Sequence, residues 1–196
     1  MARLASRLGT PCLIVQVARE LIASKGFGSM SMRELAKRVG VHAGSLYSHF
    51  QSKEEVLEEV LDTMFCDWLQ QWWSCRPDVA DPVVLLEAFV GLHFRHMLEA
   101  NSGGARIASE VRYLDESCKE RIVKRRVLYE KELETIIFLG KRSGVFRVAN
   151  SVFACQAIFS LMDGFAERSY FQKCPAEGIS HQAIKNMIDL LLGRVS

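Results

Sequence analysis

Apolar positions recur at helical spacing along almost the whole chain, and no strand-period alternation runs longer than a few residues. Ile14, Val17, Ala18, Leu21 and Ile22 fall at i, i+3, i+4, i+7 and i+8. With Thr10 as N-cap and Pro11 at the first helical position they predict an amphipathic helix, stopped by Gly26 and Gly28. Residues 1–9 read as a loose arm. Leu57, Val60, Leu61, Met64 and Trp68 mark a longer helix from Ser52 to about Ser74. At ~1.5 Å per residue it spans about 35 Å, a stiff lever leading out of the N-terminal region. Leu85, Leu86, Phe89, Val90, Phe94 and Met97 predict a helix over 82–98, entered at Asp81-Pro82 and broken by Asn101-Ser102-Gly103-Gly104. A short helix near 105–113 follows. A long one then runs from Asp115 to about Arg142, with Ile122, Tyr129, Leu133 and Ile136 on one face.

Residues 151–172 break the amphipathic rule. VFACQAIFSLMDGFA is apolar nearly all the way round, so a helix there needs cover on every side. One chain of this size covers one face, and a second copy is expected on the other. The last helix, about Ser180 to Leu192, carries Ile184, Met187, Ile188 and Leu191. Two such helices from each chain predict a four-helix bundle across a two-fold axis. The expected fold is all-α with about nine helices.

Between the first helix and the lever the pattern shortens. Ser31 followed by Glu34 is a capping box that opens a short helix with Leu35, Ala36 and Val39 on one side. Gly40 supplies a turn, and a second short helix runs from about His42 to Ser48. Two short helices joined by a Gly-containing turn predict a helix-turn-helix. Leu46 and Phe50 anchor the second helix, leaving His42, Ala43, Gly44, Ser45, Tyr47, Ser48 and His49 for another surface. Small residues permit close approach to a rigid partner, and the polar tips beside them suit a DNA major groove.

Charge sharpens this picture. The 196 residues carry a net +2, but residues 1–55 hold eight Lys/Arg against four Asp/Glu, a net +4. The remainder is a net −2. A basic head, residues 1–55, on a slightly acidic body, residues 56–196, fits an anionic partner for the head alone. Six cysteines at 12, 66, 75, 118, 155 and 174 form no CxxC pair and no metal-ligand spacing, so free buried thiols are expected, with no metal and no cofactor. No apolar run reaches membrane-spanning length and no secretion signal is visible, so a cytoplasmic location is expected.

Residues 17–61, VARELIASKGFGSMSMRELAKRVGVHAGSLYSHFQSKEEVLEEVL, resemble the DNA-binding head of TetR-type transcriptional regulators. The ordered set is the helix end at Gly26-Phe27, the Ser-x-Arg-x-x-Ala start, GSLYSHF and then SKEE. The resemblance implies a homodimer that binds a double-stranded operator with inverted-repeat symmetry and responds to a small-molecule effector. It implies base or phosphate contacts at Ser45 and Tyr47 and phosphate contacts at His49 and Lys53. Arg33, near the start of its helix and away from Leu35 and Ala36, is the best candidate for a base contact, because Arg makes two parallel hydrogen bonds to guanine. A surface Arg paired with a local acid is the plain alternative. Ser31 opens the same helix.

TetR-like bodies carry a ligand pocket, and suitable lining exists here: Trp72, Trp73, Phe89, Phe94, Met97, Phe138, Phe159, Met162 and Phe165. Aromatic and Met side chains at helical spacing are more often plain core. Polar groups on apolar stripes say more: His93 one turn after Phe89, Arg126 between Ile122 and Tyr129, and Glu110, Arg112 and Tyr113 in the short helix. A hydrogen-bonded core His and a snorkelling Arg are the alternatives. Residues 108–147 resemble the body of regulators that respond to fatty acyl-CoA or sterol-derived thioesters, through Glu110-x-Arg112-x-Leu114, Lys124-Arg125-Arg126 and Gly144-Val145-Phe146. That implies an acyl-CoA or fatty-acid effector; the same basic run also reads as a solvated face. Two other functions stay open: a helical interaction protein without DNA binding, and an enzyme, for which no nucleophile–base pair or phosphate loop is found.

Overall fold

The computed structural model describes residues 10–98, 103–172 and 181–194. The expected arm at 1–9, Asn101-Ser102, Cys174 and Ser180 lie outside them. Among the described residues all regular structure is helical. The elements are α1 Thr10–Lys25, α2 Met32–Val39, α3 Ala43–Tyr47, α4 Lys53–Cys75, α5 Pro82–Leu98, α6 Gly104–Ser109, a 3-10 turn Glu110–Tyr113, α7 Glu116–Arg142, α8 Ser151–Gln172 and α9 His181–Leu191. The expected short helix near 105–113 is therefore two pieces. The Leu114 N–H bonds to the Val111 carbonyl at 3.1 Å, tightening the last turn before the chain becomes extended at Leu114.

By Cα proximity the chain forms two compact units: Met1–Cys66 with Glu99–Arg125, and Asp67–Leu98 with Arg126–Ser196. In the first, Ile14, Val17, Ala18, Leu21 and Ile22 of α1 are buried, as the spacing predicts, together with Phe27, Leu35, Ala36, Val39, Leu46 and Phe50. Two ion pairs one turn apart, Glu58–Arg121 and Asp62–Arg125, each 2.6 Å, join α4 to α7 within this unit. Both arginines are half-exposed, so each pair adds little stability.

In the second unit Trp72, Phe89, Tyr129, Leu133, Ile158, Phe159 and Met162 are buried. Phe146 is also buried, and its ring lies against Gly140 so closely that a Cβ there would sit 2.0 Å from it. Two expectations need correction. Trp73 and Phe138 are exposed and line no interior: adjacent helical positions differ by about 100°, and Trp72 and Ile137 take the inward directions. Of the five described cysteines only Cys155 is buried, whereas Cys12 and Cys75 are exposed and Cys66 and Cys118 lie between.

Candidate nucleic-acid interface and ligand site

Local chemistry builds the head. Ser31, in an extended conformation, caps α2 by accepting the Glu34 N–H on its hydroxyl at 3.2 Å. The Glu34 carboxylate in turn accepts a bond from the Lys25 ammonium. Gly40 ends α2 at φ +84°, a left-handed conformation that favours glycine, and its N–H returns to the Ala36 carbonyl at 2.9 Å. The chain then enters α3 at His42. Leu46 is fully buried and Phe50 nearly so, while His42, Ala43, Gly44, Ser45, Tyr47, Ser48 and His49 are all exposed. One side chain pins a five-residue helix, and everything around it faces outward. Ser48 is partly engaged, donating to the Ser45 carbonyl at 2.7 Å.

Arg33 is exposed on α2. Lys53, at the first turn of α4, is half-buried: its ammonium lies 4.2 Å from the centre of the Phe27 ring and donates to the Gly28 carbonyl at 3.4 Å. The α4 start is capped twice. The Ser52 hydroxyl accepts the Glu55 N–H at 3.0 Å, and the Glu55 carboxylate accepts the Gln51 N–H at 2.6 Å. From Leu35 to Lys53 there is no acidic residue, against Lys37, Arg38, Lys53 and two histidines. The exposed face of α3 thus carries no carboxylate to repel a phosphate backbone.

The other candidates separate. Glu110 and Tyr113 belong to the first unit: the Glu110 carboxylate, buried, accepts the Phe27 N–H at 3.0 Å, and the half-exposed Tyr113 ring sits 5.2 Å from Phe27. The aromatic candidates belong to the second unit. There, His93, Tyr129, Phe89, Trp72 and Phe159 form one cluster with Trp68. Phe89 and Tyr129 ring centres lie 5.0 Å apart, Trp72 and Phe89 5.0 Å, and His93 and Phe159 5.1 Å edge-on. Met97 and Met162 are buried in the same unit.

A polar chain runs through this cluster. His93 Nε2 lies 3.3 Å from Asp163 Oδ1, and the Tyr129 hydroxyl 3.4 Å from His93 Nδ1. Arg126 donates to Asp163 at 2.9 Å and to Glu130 at 2.6 Å. Burial works to raise the Asp163 carboxyl, but the His93 hydrogen bond and the nearby Arg126 charge outweigh it and hold it below the usual carboxylate range. An ionised Asp163 only accepts, so His93 presents Nε2–H to it. Burial and then the Asp163 charge push the Tyr129 hydroxyl up, keeping it a neutral donor. A second anchor sits nearby: the Glu132 carboxylate accepts the indole N–H groups of Trp72 at 2.9 Å and Trp73 at 3.1 Å. Sequence reasoning missed Asp163 and Glu132. Asp163 had a signal, being the one charge in the apolar run from Val152 to Ala166. Glu132 had none, since it lies in a charge-rich stretch. Among the described residues no three His, Cys, Asp or Glu side chains gather to hold a metal ion.

The profile of bacterial regulatory proteins of the tetR family matches residues 14–60, and that of the tetracyclin repressor-like C-terminal domain matches residues 80–167. The transcriptional repressor KstR2 of Rhodococcus jostii is 27% identical over 142 residues, 68% of this chain and 66% of that protein. The match thus leaves about a third of that relative uncovered. The crystal structure of a tetR-family regulatory protein from Rhodococcus RHA1 is similar at a TM-score of 0.76 with 25% identity, over 96% of this chain and 98% of that one. The regulator FadR from Bacillus subtilis, solved with stearoyl-CoA, matches at a TM-score of 0.77 over 94% of this chain and 99% of that one. At 20% identity this last likeness speaks to the fold alone. The matches cover the head and most of the body, and the chain belongs to the TetR family of bacterial regulatory proteins.

Proposed function

We propose that the chain is a DNA-binding transcriptional regulator acting as a homodimeric repressor, released from an inverted-repeat operator by a small molecule. Residues 1–55 are its DNA-binding head and residues 56–196 its ligand-binding and dimerisation body. The observation that carries this reading is the reading helix itself: α3 is pinned by Leu46, exposed around it, and flanked by cations without a carboxylate from Leu35 to Lys53. In it Arg33 reads a base edge, Ser45 and Tyr47 touch bases or phosphates, and His49 and Lys53 hold the backbone. Ser31, His42, Ala43, Gly44 and Ser48 complete the surface. Membership of a family of regulatory proteins favours binding over catalysis, and a partner that is chromosomal DNA places the protein in the cytoplasm. No helix among the described residues is long and apolar enough to cross a membrane.

The effector is assigned to the aromatic cluster, with Trp72, Phe89, Met97, Tyr129, Phe159 and Met162 as apolar contacts and His93 and Arg126 as polar ones. An acyl-CoA or a fatty acid is the proposed class, supported by the ligand of the Bacillus subtilis neighbour and by an arginine joined through Asp163 to His93 of the cluster. An anionic head would compete with Asp163 and Glu130 for Arg126. The effector must bind the DNA-free arrangement more tightly than the DNA-bound one, since equal affinity shifts nothing. The test is a gel shift with duplex flanking the protein's own gene, repeated across salt and with added acyl-CoAs. Tight binding that falls steeply with salt and is lost on adding ligand supports the reading. Binding that ignores salt, or none at all, overturns it.

A further inference from the structure

We infer that Glu110 and Tyr113, outside the helix-turn-helix, position Lys53 for its phosphate. This rests on the assignment of Lys53 as a backbone contact. Helix α1 ends at Lys25, so the carbonyls of its last turn have no partner within the helix. Arg106 of α6 supplies one, donating to Ser24 O at 2.8 Å and Ala23 O at 3.3 Å. Its positive charge also lies at the negative end of the α1 dipole. One turn on, Glu110 accepts the Phe27 N–H at 3.0 Å and is itself only 4% exposed. A buried backbone donor in the α1–α2 loop is thus satisfied by a carboxylate 83 residues away. Tyr113 packs its ring 5.2 Å from the Phe27 ring. Phe27 is therefore fixed by its backbone and by its ring, both from residues 110–113.

Lys53 depends on Phe27. Its ammonium stands 4.2 Å from the Phe27 ring centre and bonds the neighbouring Gly28 carbonyl. A lysine stem has several rotatable bonds, and ordering it on contact with DNA costs rotamer entropy. A ring already in place under the ammonium reduces that cost. Order therefore passes from Glu110 to the Phe27 backbone, through the Phe27 ring, to Lys53.

The readout is the slope of log affinity against log salt, because each phosphate neutralised contributes about 0.9 to it. Operator binding by the full-length protein is measured for Lys53→Met, Glu110→Ala, Glu110→Gln, Tyr113→Leu and the double variant Lys53→Met/Glu110→Ala, with melting followed for each. Lys53→Met is expected to lose about 0.9 of slope per head. Glu110→Ala is expected to lose a comparable amount, Glu110→Gln to retain most of it because an amide oxygen still accepts the N–H, and the double variant to lose no more than Lys53→Met alone. Tyr113→Leu, whose side chain is half-exposed, is expected to lose part of the slope while melting cooperatively. It carries the test if Glu110→Ala does not fold. A folded Glu110→Ala or Tyr113→Leu with wild-type slope overturns the inference, as do additive losses in the double variant. A wild-type slope in Lys53→Met shows instead that Lys53 is no phosphate contact, which removes that role from the head and this inference with it.

Discussion

In the proposed function, side chains on the head divide into those that read and those that hold. Arg33 is exposed, and the two-pronged guanine bond proposed for it would be worth about 1–3 kcal/mol of discrimination. Arg33→Ala is therefore expected to weaken binding to the cognate operator by that amount and to leave random duplex nearly unaffected. Lys53→Ala should weaken both about equally; fluorescence anisotropy against the two duplexes separates the cases. In the body, Asp163 is the group that titrates with consequence. Its folded-state pKa is held below the ordinary 3.8, so its contribution to stability is complete above that value and is lost as pH falls through the folded value. Asp163→Asn is expected to lower the melting temperature at neutral pH and to flatten the fall in melting temperature through the acid range. An acid limb as steep as wild type would remove Asp163 as its source. Asp163 was absent from the sequence-derived site because a single acid on an apolar helix has several possible partners. Only the approach of His93 and Arg126 selects one.

Elements were legible where one sequence signal fixed one end. Pro82 and the Ser31–Glu34 box each mark a start that the structure repeats within a residue. Trp73 and Phe138 were misplaced because hydrophobicity alone does not say which of two adjacent helical residues faces inward. The turn after α7 illustrates a packing constraint invisible to periodicity. The Phe146 ring occupies the space above Gly140, where a Cβ would lie 2.0 Å away, so Gly140→Ala must displace the ring or the helix. Overpacking of this kind costs about 1–3 kcal/mol. Thermal melting is expected to show that loss, whereas Gly144→Ala, with open space around its Cβ but a φ of +77°, suffers only backbone strain of about 1 kcal/mol. Equal melting of Gly140→Ala and wild type would contradict the close contact.

At the scale of the whole molecule, the proposed function needs two heads, since an inverted repeat presents half-sites about 34–36 Å apart or a multiple of it. Among the described residues, α8 and α9 expose apolar side chains: Phe153 is 71% exposed and Leu190 77%, with Val152, Met187 and Leu191 also exposed. Phe153→Glu combined with Leu190→Glu is expected to give a folded monomer by light scattering, with operator affinity reduced to that of one head. A dimer that survives both charges would place the subunit contact elsewhere. A charge at Phe159 acts differently, because that ring is buried against Phe89 and His93; it should unfold the core rather than split a dimer.

The sequence by itself determined the helices, the capped helix-turn-helix, the basic balance of the head and the family. Each of these depends on residues close together along the chain, where periodicity and capping chemistry act directly. Only the tertiary structure decided which polar groups meet. It gave Glu110 to the Phe27 loop instead of the aromatic cluster, paired His93 with Asp163, and placed a phenyl ring under Lys53. These partners lie 26 to 83 residues apart, and a buried donor or charge takes whichever partner packing brings to it.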